Sequence, residues 1–402
     1  MNTLLMESNY LWSLRLMIFF GITVFFLLIA VNGTAKTITV DDDGEADFSR
    51  IQDAIDNCTN RDTIRVLAGI YEENIVVNKS IYLIGDGFEV TTIDGLGYGN
   101  VVTITANQVN ISGFSVIGSK CNECYLSGIK IESDNNRIFN NSFSNNDYGI
   151  SLDYSRNNTI QNNNCFGNYF GIMLLDSSNN NIIKNNTSLN NDNGIWLGDS
   201  NNNTIENNTC WYNENSIRLH HSNNNIFTNN TCTNNTGASI WLASSDNNTI
   251  NNNTFENNHS GMHFSYSSNN TITNNSIVGC ERGIYFRAYS KSNIVNYNKI
   301  FNNSDYGINA TKNNGYVIQA AFNWWGDSSG PQHFENNSMG WGDIVTDNVD
   351  FNSWLDEDGN IVYLPDGGED GENEDQFVRL LLIIILVSLL SLIFILIIRT
   401  HV

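Results

Sequence analysis

Large side chains recur at one position of a repeating pattern. Two residues after successive starts, mostly Gly-Ile or Ser-Ile, stand Lys130, Ser151 and Met173, then Trp196, Arg218, Trp241, His263 and Tyr285. If the repeats stack, these become a solvent-facing row of rings and cations, and flat rings in a row are stacking platforms for sugars. A second reading has the same side chains shielding strand edges and packing on one another. Beside the row lie Asp153, Asp176, Asp199, His220, His221, Tyr266 and Arg287. Asp176, Asp199 and His221 share one column, so stacked neighbours would stand ~5 Å apart. Glycoside hydrolysis needs two carboxyls, ~5–5.5 Å apart for retention and ~6.5–9.5 Å for inversion. Asp176 and Asp199 suit the shorter spacing. Arg218 is the cation that lyase chemistry would need beside a base, and His221 completes this candidate catalytic set.

The elements that would position these residues are short strands. Starts at Gly128, Gly149, Gly171, Gly194, Ser216, Ser239, Gly261, Gly283 and Gly307 define about nine coils of roughly 22 residues. Apolar residues alternate after each start, as in Ile195 and Leu197 or Ile240 and Leu242, and period two means a strand with one buried face. A second strand carries Ile138, Ile160, Ile183, Ile205 and Phe227, and a third carries Phe143, Cys165, Cys210, Cys232 and Phe255. Three short strands per coil predict a right-handed parallel β-helix, an all-β fold. Ahead of the second strand, Asn136, Asn158, Asn181, Asn203, Asn225, Asn248, Asn270 and Asn293 form an unbroken column. Asn accepts the left-handed backbone of a tight turn, and stacked amides can bond as a ladder.

An open solenoid needs covered ends. Phe48, Ile51, Ile55 and Cys58 have helical spacing, so Asp47–Cys58 is expected to plug the N-terminal opening as an amphipathic helix. The aromatic segments FNWWGDSSGPQHF and VDFNSWL suit a C-terminal cap. The expected organisation is 1–35 as a signal peptide or uncleaved anchor, 36–120 as cap and first coils, 121–322 as regular coils, and 323–355 as C-terminal cap. Then follow an acidic linker over 356–379, a transmembrane helix over 380–398 and a cytoplasmic tail over 399–402. That topology places the coils outside the cell, on its membrane.

Net charge is −23, from 19 basic and 42 acidic side chains, which excludes a nucleic-acid partner. Cys165, Cys210 and Cys232 share a column with Phe and Ile and are expected as core residues, Cys210 and Cys232 being near enough to bond. Cys121 and Cys124 form a CxxC that could close locally. GDSSGP from Gly326 lacks the partners of a serine-protease site, and GLGYG from Gly95 opens no βαβ unit. About twenty Asn-x-Ser/Thr sequons occur, including Asn57, Asn78, Asn110 and Asn336, and glycans on them could cover part of the ring row.

The opening TITVDDDGEADFSRIQDAIDNCTNRDTIRV, the segment NKSIYLIGDG, the GIxLxxSxNNTIxNN repeats and the closing NWWGDSSGP resemble pectin-lyase-like β-helix proteins over 37–355. Within them the chain is similar to the NosD-type, carbohydrate-binding and sugar-hydrolysis (CASH, PbH1-repeat) branch, abundant among archaeal surface proteins. The superfamily holds lyases, hydrolases, epimerases and adhesins, so the resemblance speaks to fold more than activity. The paired-Asp and Gly-His-Gly patterns of the polygalacturonase branch are missing. NosD relatives are linked to copper-site maturation, and His220, His221 and His263, with Met173 on the same face, are the weak metal candidates; imidazole and thioether suit copper. DDDGE at Asp41 and DEDGN at Asp356 touch on calcium loops without completing the pattern. No bound cofactor is expected. The leading expectation is a membrane-anchored extracellular module binding polysaccharide or surface glycan along Trp196, Arg218, Trp241, His263 and Tyr285. A polysaccharide lyase or hydrolase, a structural or adhesive envelope protein, and a NosD-like copper role are the alternatives.

Overall fold

The computed structural model describes residues 35–119 and 125–364. The expectations for the N-terminal apolar run, for Cys121 and Cys124, and for the linker and apolar helix from residue 365 onward lie outside the described residues. Among the described residues no helix is long and apolar enough to cross a membrane.

The coils stack as a right-handed parallel β-helix. One coil shows the rule: Asn193–Gly198 is a first strand, Thr204–Glu206 a second, Thr209–Trp211 a third, and Asn215–His220 begins the next coil. Each strand pairs in parallel with its counterpart one coil on, Trp196 with Arg218, Ile205 with Phe227 and Cys210 with Cys232. First strands build an 11-stranded front sheet, second strands a 14-stranded sheet, and third strands another 11-stranded sheet. Inward residues of all three sheets, such as Ile195, Leu197, Ile205 and Cys210, are fully buried. Ser188 pairs between Cys165 and Cys210 in the third-strand column. Its hydroxyl is satisfied by Asn191 Nδ2 at 2.9 Å, so this polar residue fits an apolar column. Burial pushes the Cys165 thiol above its ordinary range, and contact with Cys232 together with burial does the same for Cys210.

Three asparagine ladders run along the coils, two more than the single column evident in the sequence. They pass through Asn158, Asn181 and Asn203 before the second strand, Asn163, Asn186 and Asn208 before the third, and Asn168, Asn191 and Asn213 before the next first strand. Each rung is alike. The Asn208 Oδ1 accepts the backbone N–H of Asn186 at 3.0 Å, while its Nδ2 donates to the Ile183 carbonyl at 2.9 Å. These bonds satisfy backbone groups that a corner would otherwise orphan in the interior. The two roles assigned to one asparagine are divided between two. The residue before each rung takes the left-handed backbone, as at Asn157 (φ 57°), Asn202 (58°) and Asn207 (55°), and the buried rung does not. Hence the Asn-Asn pairs. Serines form a further ladder at the front corner, with Ser200 N–H donating to Ser222 Oγ at 3.1 Å.

Where a start carries glycine, the reason is steric. A Cβ on Gly171 would sit 2.5 Å from the Gly194 carbonyl oxygen of the next coil. The N-terminal helix is shorter than its apolar spacing suggests, Ile51–Asn57, because Phe48 bridges Val40 as a strand partner. Ile51, Ala54 and Ile55 face the core. Its ends are held from the next coil: Glu73 accepts the N–H groups of Ile51 (2.8 Å) and Gln52 (3.1 Å), and Lys79 Nζ donates to the carbonyls of Ile55, Asp56 and Cys58. An acid at the N-terminus and an amine at the C-terminus both oppose the helix dipole. At the far end Trp325, Phe322, Phe351 and Trp354 are buried, and Asp343 replaces asparagine as the last rung, accepting from Asn303 Nδ2 at 2.6 Å.

Candidate functional site

First strands in the regular coils run to six residues while second and third strands have three, so the front sheet alone offers a wide outer surface. The register assembles the anticipated row. Lys130, Ser151, Met173, Trp196, Arg218, Trp241, His263 and Tyr285 are successive partners across neighbouring strands. The row is half-buried rather than freely exposed, and Ser151 and Met173 are buried. Its members cover one another. Trp241 and His263 stack at 5.2 Å and 6°, His263 meets Tyr285 at 5.1 Å, and the Arg218 guanidinium lies 4.4 Å from the centre of the Trp241 ring. Phe170 stacks on Trp196 at 5.1 Å. The indole nitrogens of Trp196 and Trp241 are hidden, so what these rings show to solvent is carbon. Burial, with Arg287 and Arg282 adding, lowers His263 to about 4, so it stacks as neutral imidazole.

At the small end of the row the surface falls into a recess of about 360 Å³, between Tyr125, Tyr148, Lys130, Ser151, Asp153 and Met173. Tyr125 and Tyr148 stack at 6.1 Å on one side. Lys130 Nζ contacts Glu132 (2.7 Å) and Asp153 Oδ2 (3.5 Å), and the Glu132 bond is the main cause of its raised pKa. The other Asp153 oxygen is buried without a protein partner. Burial raises Tyr148 to about 12, which keeps its hydroxyl a donor. The recess therefore pairs ring faces with an ammonium, a carboxylate oxygen and a phenol. Such a mix matches a sugar's C–H faces and hydroxyls. The sequence signal for this place is faint: Tyr148 and Phe170 occupy matching positions one residue before successive starts.

The turn column slips by one residue at its first member: the Ser177 N–H, not that of Asp176, donates to the Asp199 carbonyl, and the Asp199 N–H donates to the His220 carbonyl. Asp199, His220 and His221 converge, with ligand atoms all within 4.8 Å of one another, and His221 Nδ1 is 3.6 Å from Asp199 Oδ1. All three are exposed, and Asp176 does not join the group. The two imidazole rings lie 4.0 Å apart, and burial and then His221 lower the pKa of His220. Two imidazoles and a carboxylate make a donor set for a divalent transition metal, with room left for water. His263 lies apart, two strands beyond Arg218. Met173 is likewise separated, by Trp196. The candidate catalytic set is thus split: Asp199 turns to His221, and Arg218 lies on Trp241.

A cell surface glycoprotein of Methanothermus fervidus is 33% identical over 120 residues, covering 29% of this chain and 20% of that protein. A probable pectinesterase/pectinesterase inhibitor of Arabidopsis thaliana is 36% identical over 75 residues, 17% of this chain and 14% of its own. The chain therefore spans a fifth or less of these relatives. Among solved structures, pre-mature bacteriophage phi29 gene product 12 shares the fold at TM-score 0.55 and 15% identity, covering 66% of this chain and 49% of that one. The A-module of an Azotobacter vinelandii mannuronan C-5 epimerase aligns at TM-score 0.48 and 16% identity, over 75% and 93% of the two chains. The profile of the NosD family, periplasmic copper-binding protein, matches residues 55–258 and 178–330, more than half of the chain, and the protein belongs to that family.

Proposed function

We propose that this is an extracellular carbohydrate-binding β-helix, in which the front-sheet recess holds one sugar ring and the stacked row carries the rest of a glycan chain. The carrying observation is continuity. A recess lined by Tyr148, Lys130 and Asp153 opens onto the same sheet as the rings running from Phe170 through Tyr285. Support for the location comes from the cell-surface relative and the periplasmic family. The recess favours a neutral sugar: Lys130 is already matched by two carboxylates, and the chain carries −23, so an anionic polymer gains little there. Membrane attachment through 380–398 belongs to this reading as a proposal.

Calorimetric titration of the full chain in detergent with neutral and acidic oligosaccharides tests it. Binding of a neutral oligosaccharide should weaken roughly ten- to a hundredfold in Asp153→Asn and in Tyr148→Phe, each loss reflecting a buried polar partner of about 1.5–3 kcal/mol. Trp196→Ala combined with Trp241→Ala should shorten the length of chain recognised. Unchanged binding in all of these variants removes the proposal.

A second reading is favoured by the Asp199–His220–His221 group. Its nitrogen and oxygen donors fit Cu(II), the metal of the family's description, and they lack the thioether that would select Cu(I). Asp199, His220 and His221 would hold the ion at the rim of the front sheet.

A further inference from the structure

We infer that the corner between the second- and third-strand sheets is a ridge of N-glycan acceptor sites, turned away from the front sheet. The ladders reveal which sequon asparagines a transferase can reach. In the Asn-Asn-Thr and Asn-Asn-Ser triplets that lead into second and third strands the first asparagine is the acceptor, and it is the exposed, left-handed residue; the second is the buried rung and the third opens the strand. At the corner leading into the third strand, the acceptors are Asn140, Asn185, Asn207, Asn229, Asn252 and Asn274, all exposed, with φ between 53° and 58°. The last five lie on consecutive coils, their sheet partners Thr187, Thr209, Thr231, Thr254 and Ser276 being in register.

Folding alone does not demand those hydroxyl residues. The same third-strand position holds Asn164 in one coil and Lys299 in another, and its second-strand counterpart holds Arg137, Ile182, Ile226 and Ile294. An unbroken run of Ser and Thr after an exposed Asn is therefore a property of this corner beyond its fold. Sequons at Asn157, Asn202, Asn247 and Asn269 lie on the front corner and are interrupted by those isoleucines. Because the coil has three sides, the ridge lies opposite the front sheet, so glycans there leave the ring row bare rather than covering it.

The reaction is a group transfer from a lipid-phosphate-linked oligosaccharide outside the membrane. The acceptor Nδ2 forms a bond to the anomeric carbon and loses one proton, while the bond from that carbon to the lipid phosphate oxygen breaks and the lipid phosphate departs. Coils repeat every ~4.8 Å, closer than two saccharide cores can stand, so neighbouring coils cannot both be occupied on one molecule.

Two sequons supply an internal control. Asn186-Thr187-Ser188 and Asn258-His259-Ser260 have rung asparagines as acceptors, buried to 2% and 3% exposure. The test is glycopeptide mass spectrometry of the full chain, folded and purified from a host that N-glycosylates secreted proteins. Occupancy is expected on the ridge, in alternate coils, with Asn186 and Asn258 bare. Thr231→Val should remove the glycan from Asn229 and leave the melting temperature unchanged. A bare ridge on molecules that carry glycan at exposed Asn336 would overturn the inference, as would glycan on Asn186 or Asn258 in folded protein. Sugar binding at the front sheet plays no part in this outcome.

Discussion

Adjacent asparagines in this protein should differ in energetic weight by an order of magnitude, and Asn207 and Asn208 show why. Replacing Asn208 by Ala removes the acceptor of the Asn186 N–H and the donor to the Ile183 carbonyl, both in the interior. The N–H of residue 208 keeps its own acceptor, Asn230 Oδ1 at 3.0 Å. The Asn186 N–H is left buried without a partner, while the Ile183 carbonyl keeps its place in the strand ladder and loses only its second donor, together a cost of about 1–3 kcal/mol. The missing carboxamide leaves a void as well, so the expected loss is ~2–5 kcal/mol. Asn207 is exposed at φ 55°, a conformation glycine adopts without a Cβ penalty. Asn207→Gly is therefore expected within ~0.5 kcal/mol of the parent, and Asn207→Ala about 1 kcal/mol below it. Since each coil touches mainly its neighbours, the damage should be local. Hydrogen exchange read coil by coil should show lost protection around Ile183, Asn186 and Asn208 in Asn208→Ala, with distant coils unaffected. If Asn207→Gly exposes those amides as much as Asn208→Ala does, the division of labour assigned to the pair is wrong.

Two titrations should run in opposite directions. His263 is lowered to about 4, so its contribution is complete above the ordinary pKa of 6.5 and is lost as pH falls towards 4; it amounts to at most about 3 kcal/mol, and His263→Phe should flatten that acid limb in denaturant melts. Asp343 is raised to about 6 by burial, so the folded state holds its proton more tightly, and stability from this group declines as pH rises from about 4 to 6. Asp343→Asn, which restores the ladder chemistry, should abolish that decline and raise stability at neutral pH by up to about 3 kcal/mol. Cu(II) added to the full chain should raise its melting temperature and give an electron paramagnetic spectrum of mixed nitrogen and oxygen ligation; His221→Ala should remove both, and a spectrum unaltered by that change would refute the site.

Much of the architecture was legible because stacking converts sequence period into space. Once starts recur every 22 or so residues, Trp196, Arg218 and Trp241 must be strand neighbours, and they are. The rest escaped for identifiable reasons. Two of three ladders were hidden because both members of an Asn-Asn pair look alike in sequence, and only burial separates the rung from the turn residue. The helix caps Glu73 and Lys79, and the last rung Asp343, come from outside the segments they complete, 40 residues away in the case of Asn303 and Asp343. How much of the ring row is covered depends on stacking between coils, which residue type alone does not set.

The same periodicity explains where chemistry can reside. Inward positions are filled by Ile, Leu, Phe and Cys, and corners are committed to amides that satisfy the backbone, so neither can vary freely. Outward positions of the short strands vary as well, from Thr204 and Thr209 to Ile182, Trp211 and Lys299, but each lies beside a turn. Only the longer front strands add an outward position flanked by neither corner. There the chain moves from Lys130 and Ser151 through Trp196 to Tyr285 without repeating, beside a recess where a partnerless carboxylate oxygen meets two tyrosine rings. A row held clear of the turns on the widest sheet is where such a scaffold can place selectable chemistry. Exchanging Trp241 or Tyr148 should accordingly alter what is bound far more than whether the coils stand.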